Sequence, residues 1–277
     1  MEEEILNIRK KIFLTAYSAS IAHIASAFSL VEILYTLYIK KVLNYDAKNP
    51  NYEERDRLIL SKGHGSLALY TILCKAGFFN EEVLKTFSKP GSILGGEPTI
   101  PEIPGVEATT GSLGHGLSIG VGMAIAKKID NRKEKVYVIL GDGECEEGTV
   151  WEAVMMAAKK KLDNLVIIVD CNKIQKMGTV EEVMGITNWK EKFTSFGCAV
   201  KEVDGHSVNE LENVLRSENN TEKPMVIIAN TTKGKGVSIV ENEPRWHWRL
   251  PSKKELKVFM KELNITEEEI KKCKEHI

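Results

Sequence analysis

Residues 135–175 read KVYVILGDGECEEGTVWEAVMMAAKKKLDNLVIIVDCNKIQ, and the order of their segments indicates the architecture of the chain. The apolar run 136–140 stops at Gly141-Asp142-Gly143, and a helical pattern of apolar and small residues follows. A second apolar run, 165–169, ends at Asp170-Cys171-Asn172. Strand, helix and strand in this order predict one βαβ unit. Both strand ends of such a unit lie at the same edge of a parallel sheet, so the fold class is predicted as α/β, a parallel sheet flanked by helices.

Two polar side chains are expected side by side at that edge, where open α/β sheets bind ligands. Asp142 offers a carboxylate and Asn172 a side-chain carbonyl, both hard oxygen ligands that suit Mg²⁺. Gly143 lets the backbone approach an anion, and the N-terminus of the following helix favours phosphate. The alternative is an Asp and an Asn that only terminate strands, and the paired pattern favours the ligand site.

Composition excludes several classes of protein. The 277 residues suffice for one large α/β domain, predicted to span 1–277. A net charge of −1 without a basic field argues against nucleic acid. No apolar run reaches the roughly 18 residues of a membrane span, and the N-terminus does not resemble a signal peptide. Five scattered cysteines without a CxxC pattern predict free thiols in the cytoplasm.

The motif GDG at 141–143, followed by Asn172, resembles the diphosphate-binding signature of thiamine diphosphate enzymes. The surrounding sequences GDGECEEGTVWEA and DCNKIQ are similar to those of the transketolase branch of these enzymes. The resemblance implies a thiamine diphosphate-binding fold of the pyrophosphate-binding type. It also implies a divalent cation, Mg²⁺ or else Ca²⁺ or Mn²⁺, held by Asp142, Asn172 and the backbone carbonyl of Ile174, with Gly143 against the cofactor.

Two further sequence motifs carry the same resemblance. Residues 61–66, SKGHGS, follow a predicted strand, and the resemblance implies that His64 contacts the cofactor diphosphate and the substrate. Residues 110–116, TGSLGHG, precede a helix. The resemblance places the Gly111 carbonyl against the thiamine amino group, Leu113 under the pyrimidine ring and His115 towards the substrate.

Two more histidines gain roles from the resemblance. His23, between two predicted helices, is implied as a substrate contact, and His247 as a contact of diphosphate and substrate. With His64 they form the predicted catalytic set, which would orient hydroxyls and shuttle protons. The setting departs from the family pattern at Ala22 and Trp248.

A third departure lies in the irregular segment 90–105. Transketolases commonly have Gly-His-Pro there, and this chain has Gly96-Glu97-Pro98. Glu97 is therefore a substrate-lining candidate that indicates either a different ketose donor or the loss of that contact.

Other segments have simpler predicted roles. Glu147 and Glu152 either favour a helix N-terminus or, by the resemblance, lie at a subunit interface. Ser29 and Glu32 read as a capping box that starts a helix, and His206 fixes a turn before another. Helices from about residue 252 are expected as a charged appendage.

The resemblance covers most of the chain but only the first third or so of a full transketolase. The family's glutamate on the cofactor pyrimidine belongs to a second domain, and no glutamate here matches that motif. The chain is therefore expected to be the N-terminal subunit of a split transketolase. Its partner would be a separate pyrimidine-binding chain in an α₂β₂ assembly acting on sugar phosphates. The alternatives are a transketolase-like subunit with another ketose donor and a non-catalytic thiamine diphosphate-binding protein.

Overall fold

A five-stranded parallel sheet forms the centre of the molecule. The computed structural model describes residues 1–21, 23–185, 188–219 and 221–274. Its strands are β1 (Arg57–Leu60), β2 (Val136–Gly141), β3 (Leu165–Cys171), β4 (Ala199–Asp204) and β5 (Met225–Asn230). All neighbouring strands pair in parallel, in the order β1-β2-β3-β5-β4. The predicted fold class is confirmed.

The helices follow the strands in the alternation that parallel sheets require. The longer ones are α1 (Glu2–Ala19), α4 (Ser66–Ala76), α6 (His115–Ile129), α7 (Gly148–Lys159), α10 (Val208–Arg216), α11 (Lys253–Glu262) and α12 (Glu267–Lys274). The shorter ones are α2 (Ile24–Phe28), α3 (Val31–Leu34), α5 (Glu81–Leu84), α8 (Val180–Met184) and α9 (Trp189–Ser195). A π-helical turn, Tyr35–Ile39, extends α3.

The two faces of the sheet are covered by two different sets of helices. In β2, Tyr137 and Ile139 face a core that contains side chains of α1 to α4, α10 and α11. Val136, Val138 and Leu140 face a second core that contains side chains of α6, α7 and α9. Because side chains alternate across a strand and both faces are covered, β2 and β3 are buried along their whole length, with apolar side chains up to Asp170 near the end of β3.

The predicted capping box at Ser29 is wrong. No side-chain cap bond forms at the start of α3. Instead the Ser29 hydroxyl donates to Asp170 Oδ2 at 2.7 Å. Glu32 is buried and forms a 2.7 Å ion pair with Arg9. Both side chains therefore make tertiary contacts, which the local pattern does not reveal.

One short helix was not predicted, and one other segment differs in detail from the expectation. The helix α8 follows the predicted metal loop, and Thr179 and Glu182 cap it reciprocally. In the C-terminal part, Phe259 is fully buried and stacks on Phe13, with ring centroids 4.6 Å apart. One face of α11 thus belongs to the main core, while the division of the chain into a domain and an appendage stays a prediction.

Among the described residues, none of the helices combines the length and the apolar character that crossing a membrane requires. Ala22, where the sequence departs from the family motif, lies outside the described residues.

Candidate active site

The loops that follow β2 and β3 lie against each other at the carboxyl edge of the sheet. The register pairs Gly141 with Asp170, so the residues after these strands emerge as neighbours. Asp142 is 2% exposed, and its carboxylate accepts hydrogen bonds from the backbone N–H of Gly143, at 2.8 Å, and of Lys173. The predicted proximity of Asp142 to the Asn172 loop is therefore seen in the structure.

The three residues of the predicted metal set lie in this loop pair. The Asn172 side-chain oxygen accepts from the Ile174 N–H at 3.1 Å, and both residues are buried. Burial, and then the nearby Asp170 carboxylate, raise the pKa of Asp142 to about 6, a penalty that a bound cation would offset. A carboxylate, an amide oxygen and a main-chain carbonyl are the donors that hard divalent cations prefer. These donor types fit the predicted cation, whose binding stays a prediction.

The predicted metal set differs in kind from a cluster of titratable ligands. Within the part of the chain that the structure describes, no three side chains of His, Cys, Asp and Glu group as metal ligands. The predicted set instead combines one carboxylate with one amide and one main-chain carbonyl, so this finding neither supports nor contradicts it.

Three histidines from separate loops form one cluster. His23 precedes α2, His64 lies in a 3₁₀ turn after β1, and His247 lies in the 3₁₀ turn Pro244–Trp248. Their ring centroids are 5.4 to 5.7 Å apart in all three pairs. Trp248 closes one side, with its ring centroid 4.2 Å from that of His23 and about half of its surface exposed. The structure thus brings together the three residues predicted as catalytic.

These imidazoles are neutral at pH 7. Burial, followed by the positive charge of Lys233, lowers the pKa of His23 to about 4 and that of His247 to about 3. Burial and then Lys62 lower the pKa of His64 well below its ordinary value. The cluster therefore offers hydrogen-bond donors and acceptors, and each ring has a lone pair that can take a proton.

Lys233, buried in the loop after β5, joins the histidine cluster to the predicted metal set. Its ammonium donates to the Ile174 carbonyl at 2.9 Å and contacts His247 Nδ1 at 3.0 Å. Since an ammonium can only donate, Nδ1 is the acceptor and the His247 proton sits on Nε2. Burial and then Lys62 lower the pKa of Lys233 to about 8. Sequence reasoning did not identify this contact.

A buried ion pair beneath the site was missed. Lys62 Nζ lies 2.5 Å from Asp170 Oδ2, and the two side chains are 2% and 0% exposed. Asp170 also accepts hydrogen bonds from Ser29, from Thr231 and, at 3.3 Å, from Asn172. Burial raises the pKa of Asp170, but Lys62 and these hydrogen bonds outweigh burial and leave the pKa lowered. In the sequence, the only indication of this pair was that Lys62 and Asp170 each closely follow an apolar run that predicts a buried strand.

Glu144 is a second missed carboxylate. It accepts hydrogen bonds from the Ser61 hydroxyl, from the Gly114 N–H at 2.9 Å and from the Gly141 N–H at 3.0 Å. Burial raises the pKa of Glu144. This side chain ties together the loops after β1, before α6 and at the end of β2. In the sequence, the only indication of its role was its position directly after Gly143.

The glycine-rich loop before α6 packs closely on the His64 turn. A Cβ on Gly63 would lie 2.8 Å from the Gly111 nitrogen. Gly111 has φ +144°, and a Cβ there would collide with the Glu97 carboxylate. Leu113 is half-buried, and its carbonyl lies 3.1 Å from His115 Nδ1. Gly111 and Glu97 are therefore neighbours, as the predicted roles of both require.

Three predicted residues are not drawn into this cluster. His115 is exposed at the start of α6, and the ring contacts described among the histidines do not include it. Glu147 and Glu152 are exposed at the start of α7 and within it. A substrate contact for His115 and an interface role for the two glutamates stay predictions.

Comparison with known proteins agrees with this geometry. Residues 4–271 match the family model described as transketolase, thiamine diphosphate binding domain. The chain is 42% identical over 265 residues to one subunit of the apulose-4-phosphate transketolase of Phocaeicola vulgatus, covering 95% of this chain and 94% of that protein. It is 38% identical over 241 residues to the 6-deoxy-6-sulfo-D-fructose transketolase subunit SqwG of a Clostridium species, covering 87% of each.

Solved structures show the same relationship. The crystal structure of transketolase from Campylobacter jejuni superposes with a TM-score of 0.87 at 30% identity, over 99% of this chain and 45% of that chain. The chain thus spans less than half the length of the solved transketolases that it matches. On its sequence, its fold and its site, the chain belongs to the transketolase family and carries that family's thiamine diphosphate-binding domain.

Proposed function

We propose that the chain is the N-terminal subunit of a two-chain transketolase that transfers a two-carbon ketol unit from a ketose phosphate to an aldose phosphate. The observation that carries this proposal is the pair of contacts made by Lys233. One ammonium touches the Ile174 carbonyl of the predicted metal set and His247 of the predicted catalytic set. The groups proposed to bind the diphosphate and those proposed to face the substrate are thereby adjacent, which supports two-carbon transfer on this cofactor.

The cofactor would be thiamine diphosphate with Mg²⁺ or another hard divalent cation. Asp142, Asn172 and the Ile174 carbonyl would hold the cation, and Gly111, Leu113 and Gly143 would face the cofactor. When bound, thiamine diphosphate supplies the electron sink that allows the carbon–carbon bond beside a ketose carbonyl to break.

The cationic side chains of this site suit an anionic cofactor. Lys62 and Lys233 are both buried at the carboxyl edge of the sheet. Burial, and then the charges of Lys233 and Lys62, lower the pKa values of His23 and His247, and a bound diphosphate would offset the part that comes from the lysines. Lys233 would then stabilise negative charge at the site while keeping His247 oriented.

The histidines would bind and orient the sugar. In their neutral forms, His23, His64 and His247 can donate to or accept from ketose hydroxyls, and each can take a proton from a hydroxyl as it ionises. Trp248 covers one side of His23 and limits the access of water to the cluster.

The partner would be a separate chain that supplies the pyrimidine-binding domain. Two relatives that this chain matches over nearly their whole length are named as transketolase subunits. Glu147 and Glu152, exposed at the start of α7 and within it, are proposed to face that partner in an α₂β₂ assembly. The thiols of all five cysteines are free in the structure, which suits a reducing cytoplasm.

The donor sugar is proposed to differ from that of an ordinary transketolase. The two relatives are named for apulose 4-phosphate and for 6-deoxy-6-sulfo-D-fructose. In this chain the Glu97 carboxylate lies directly over Gly111. A fixed negative charge there would select against some ketoses and accept hydrogen bonds from hydroxyls of others.

The test is a transfer assay with this chain co-purified with candidate pyrimidine-domain chains. We expect ketose-dependent transfer that requires both chains, thiamine diphosphate and a divalent cation. The double variant Asp142→Ala and Asn172→Ala should abolish it, whereas Asp130→Ala, at an exposed position, should not. Cofactor binding without transfer by every candidate complex would instead support a non-catalytic thiamine diphosphate-binding protein.

A further inference from the structure

One histidine of the turn after β4 contacts the loop that follows β5. This loop, residues 231–236, is called the site loop. His206 Nε2 lies 2.8 Å from the backbone nitrogen of Thr232, and Nδ1 lies 3.0 Å from a Glu32 carboxylate oxygen. A backbone N–H can only donate, so Nε2 is unprotonated. The ring proton of the neutral side chain therefore sits on Nδ1 and is donated to Glu32.

A buried network holds His206 in that orientation. Glu32 also pairs with Arg9 at 2.7 Å, and Arg9 donates to the Phe28 carbonyl at 3.1 Å. The Arg9 and Glu32 side chains are each 6% exposed, and the His206 ring is 13% exposed. Burial raises the pKa of Glu32, but the hydrogen bond from His206 and the charge of Arg9 outweigh burial and leave the pKa lowered. Glu32 is thus a carboxylate that accepts from both neighbours.

The same turn packs directly on the end of β5. The Gly205 N–H donates to the Asn230 carbonyl at 2.8 Å. A Cβ on Gly205 would collide with Thr231 Cγ2 and lie 3.0 Å from the Asn230 carbonyl oxygen. Only glycine allows this approach, so the turn and the start of the site loop are in contact over consecutive residues.

The segment that His206 touches carries site contacts on both sides. Thr231 donates its hydroxyl to Asp170, and Lys233 reaches the Ile174 carbonyl and His247. Thr232, which lies between them, is held through its backbone by His206. Displacement of Thr232 would therefore shift Lys233 away from both of its partners.

We propose that His206 is a positioning residue: in its Nδ1–H tautomer it anchors the segment Thr231–Lys233 and so sets Lys233 between Ile174 and His247. The predicted role of His206, fixing its own turn, is thereby extended to a neighbouring loop. The effect of His206 on cofactor binding rests on the proposed function, but the effect on loop order does not.

Two substitutions separate the two ring nitrogens. His206→Asn retains a donor near the Nδ1 position and loses the acceptor for Thr232. His206→Gln retains an acceptor near the Nε2 position and loses the donor to Glu32. We expect Asn to weaken thiamine diphosphate binding about tenfold, the size of one lost hydrogen bond in a site, and Gln to weaken it much less. Stability should follow the opposite order, because Gln leaves the buried Glu32 with one partner fewer.

A matched control accounts for general loss of stability. Ser207→Ala removes the hydrogen bond that caps α10 but does not touch Thr232. It should lower the melting temperature and leave cofactor affinity unchanged. Binding is measured on the chain complexed with its partner, by titration with thiamine diphosphate and Mg²⁺.

Loop order is measured separately, without cofactor. Amide hydrogen exchange of residues 230–236 should be faster in the Asn variant and close to the unmodified protein in the Gln variant. If the unmodified complex fails to bind thiamine diphosphate, the proposed function falls and the exchange pattern alone decides the role of His206.

Equal exchange in all three proteins, or faster exchange in Gln than in Asn, would overturn the proposal. If the Asn variant does not fold, ¹⁵N NMR of the histidines in the unmodified protein decides. The expected result is a protonated Nδ1 and an unprotonated Nε2 at His206. A proton on Nε2 would refute the arrangement.

Discussion

Lys62 Nζ lies 2.5 Å from Asp170 Oδ2 at the carboxyl edge of the sheet, and both side chains are buried. Lys62 immediately precedes the turn that carries His64, and Asp170 lies at the end of the strand that leads to Asn172. The pair therefore connects the histidine cluster to the predicted metal loop. A buried pair of this kind contributes little net stability but is costly to break, because the remaining charge has no partner.

Replacing one member of this pair should destabilise the protein strongly. We expect Lys62→Met to lower the free energy of unfolding by about 3–5 kcal/mol, because it leaves the Asp170 carboxylate buried beside uncharged donors alone. Urea denaturation measures the change. The exposed pair Lys85 and Glu82 is the control, since Lys85→Met there should change the free energy of unfolding little, because solvent already stabilises both charges. Similar losses from the two lysine substitutions would contradict the role given to the buried pair.

The lowered histidine pKa values predict how stability depends on pH. In the unfolded chain a histidine has a pKa of about 6.5, whereas in the fold that of His23 is about 4 and that of His247 about 3. Between these values the unfolded chain binds more protons, so the stabilising contribution is present above pH 6.5 and is lost progressively as the pH falls, towards about 4 for His23 and about 3 for His247.

The difference between the unmodified protein and a His23→Asn variant isolates this contribution. The decrease in melting temperature between high and low pH should be smaller in the variant, because the variant lacks one group that must stay neutral in the fold. Thermal melts from about pH 7.5 to about pH 4.5 without added cofactor measure it. His115→Asn, at an exposed position, should retain the full pH dependence. An unchanged pH dependence in His23→Asn would show that His23 does not stay neutral in the fold.

The carboxylate of Glu97 should select among donor sugars. Glu97→Gln removes a negative charge next to Gly111. We expect kcat/KM for anionic donors to rise about three- to tenfold and to change less for uncharged donors, with the difference shrinking at high salt. A panel of phosphorylated and unphosphorylated ketoses measures this preference. Glu102→Gln, exposed in the same irregular segment, should change neither. Equal effects on charged and uncharged donors would place Glu97 away from the sugar.

Replacing the Glu144 carboxylate with an amide should destabilise the protein. In Glu144→Gln an NH₂ group must face a donor, either Ser61 or a backbone N–H, so one buried donor loses its acceptor. The expected loss is about 1–3 kcal/mol in the free energy of unfolding. Ser61→Ala should cost less, since the carboxylate keeps both backbone donors. Chemical denaturation of the two variants decides the order, and a larger loss in Ser61→Ala would contradict it.

The sequence predicted the parts of the site that local patterns encode. Asp142 and Asn172 each end an apolar run, and the geometry of parallel strands then places them together without further information. His23, His64 and His247 were found by resemblance, since three histidines in unrelated loops have no spacing that predicts their meeting.

The contacts that fix the site could not be read from the sequence. Asp170 lies 108 positions from Lys62, and Glu144 accepts hydrogen bonds from residues 83 and 30 positions earlier in the chain. Such contacts are made between loops whose course depends on the whole fold. Ser29 and Glu32 show the same limit, because a pattern typical of a helix cap serves Asp170 and Arg9 instead.

The most direct measurement follows the two carbons themselves. The chain and its partner are incubated with a ketose labelled with ¹³C at C1 and C2, an unlabelled aldose, thiamine diphosphate and Mg²⁺. We expect NMR to show a new ketose with both labels still bonded to each other, and none when Asp142 and Asn172 are both replaced by alanine. Transfer that survives this double substitution would contradict the proposed site. Failure to transfer from any ketose, in a complex that binds the cofactor, would contradict the proposed reaction.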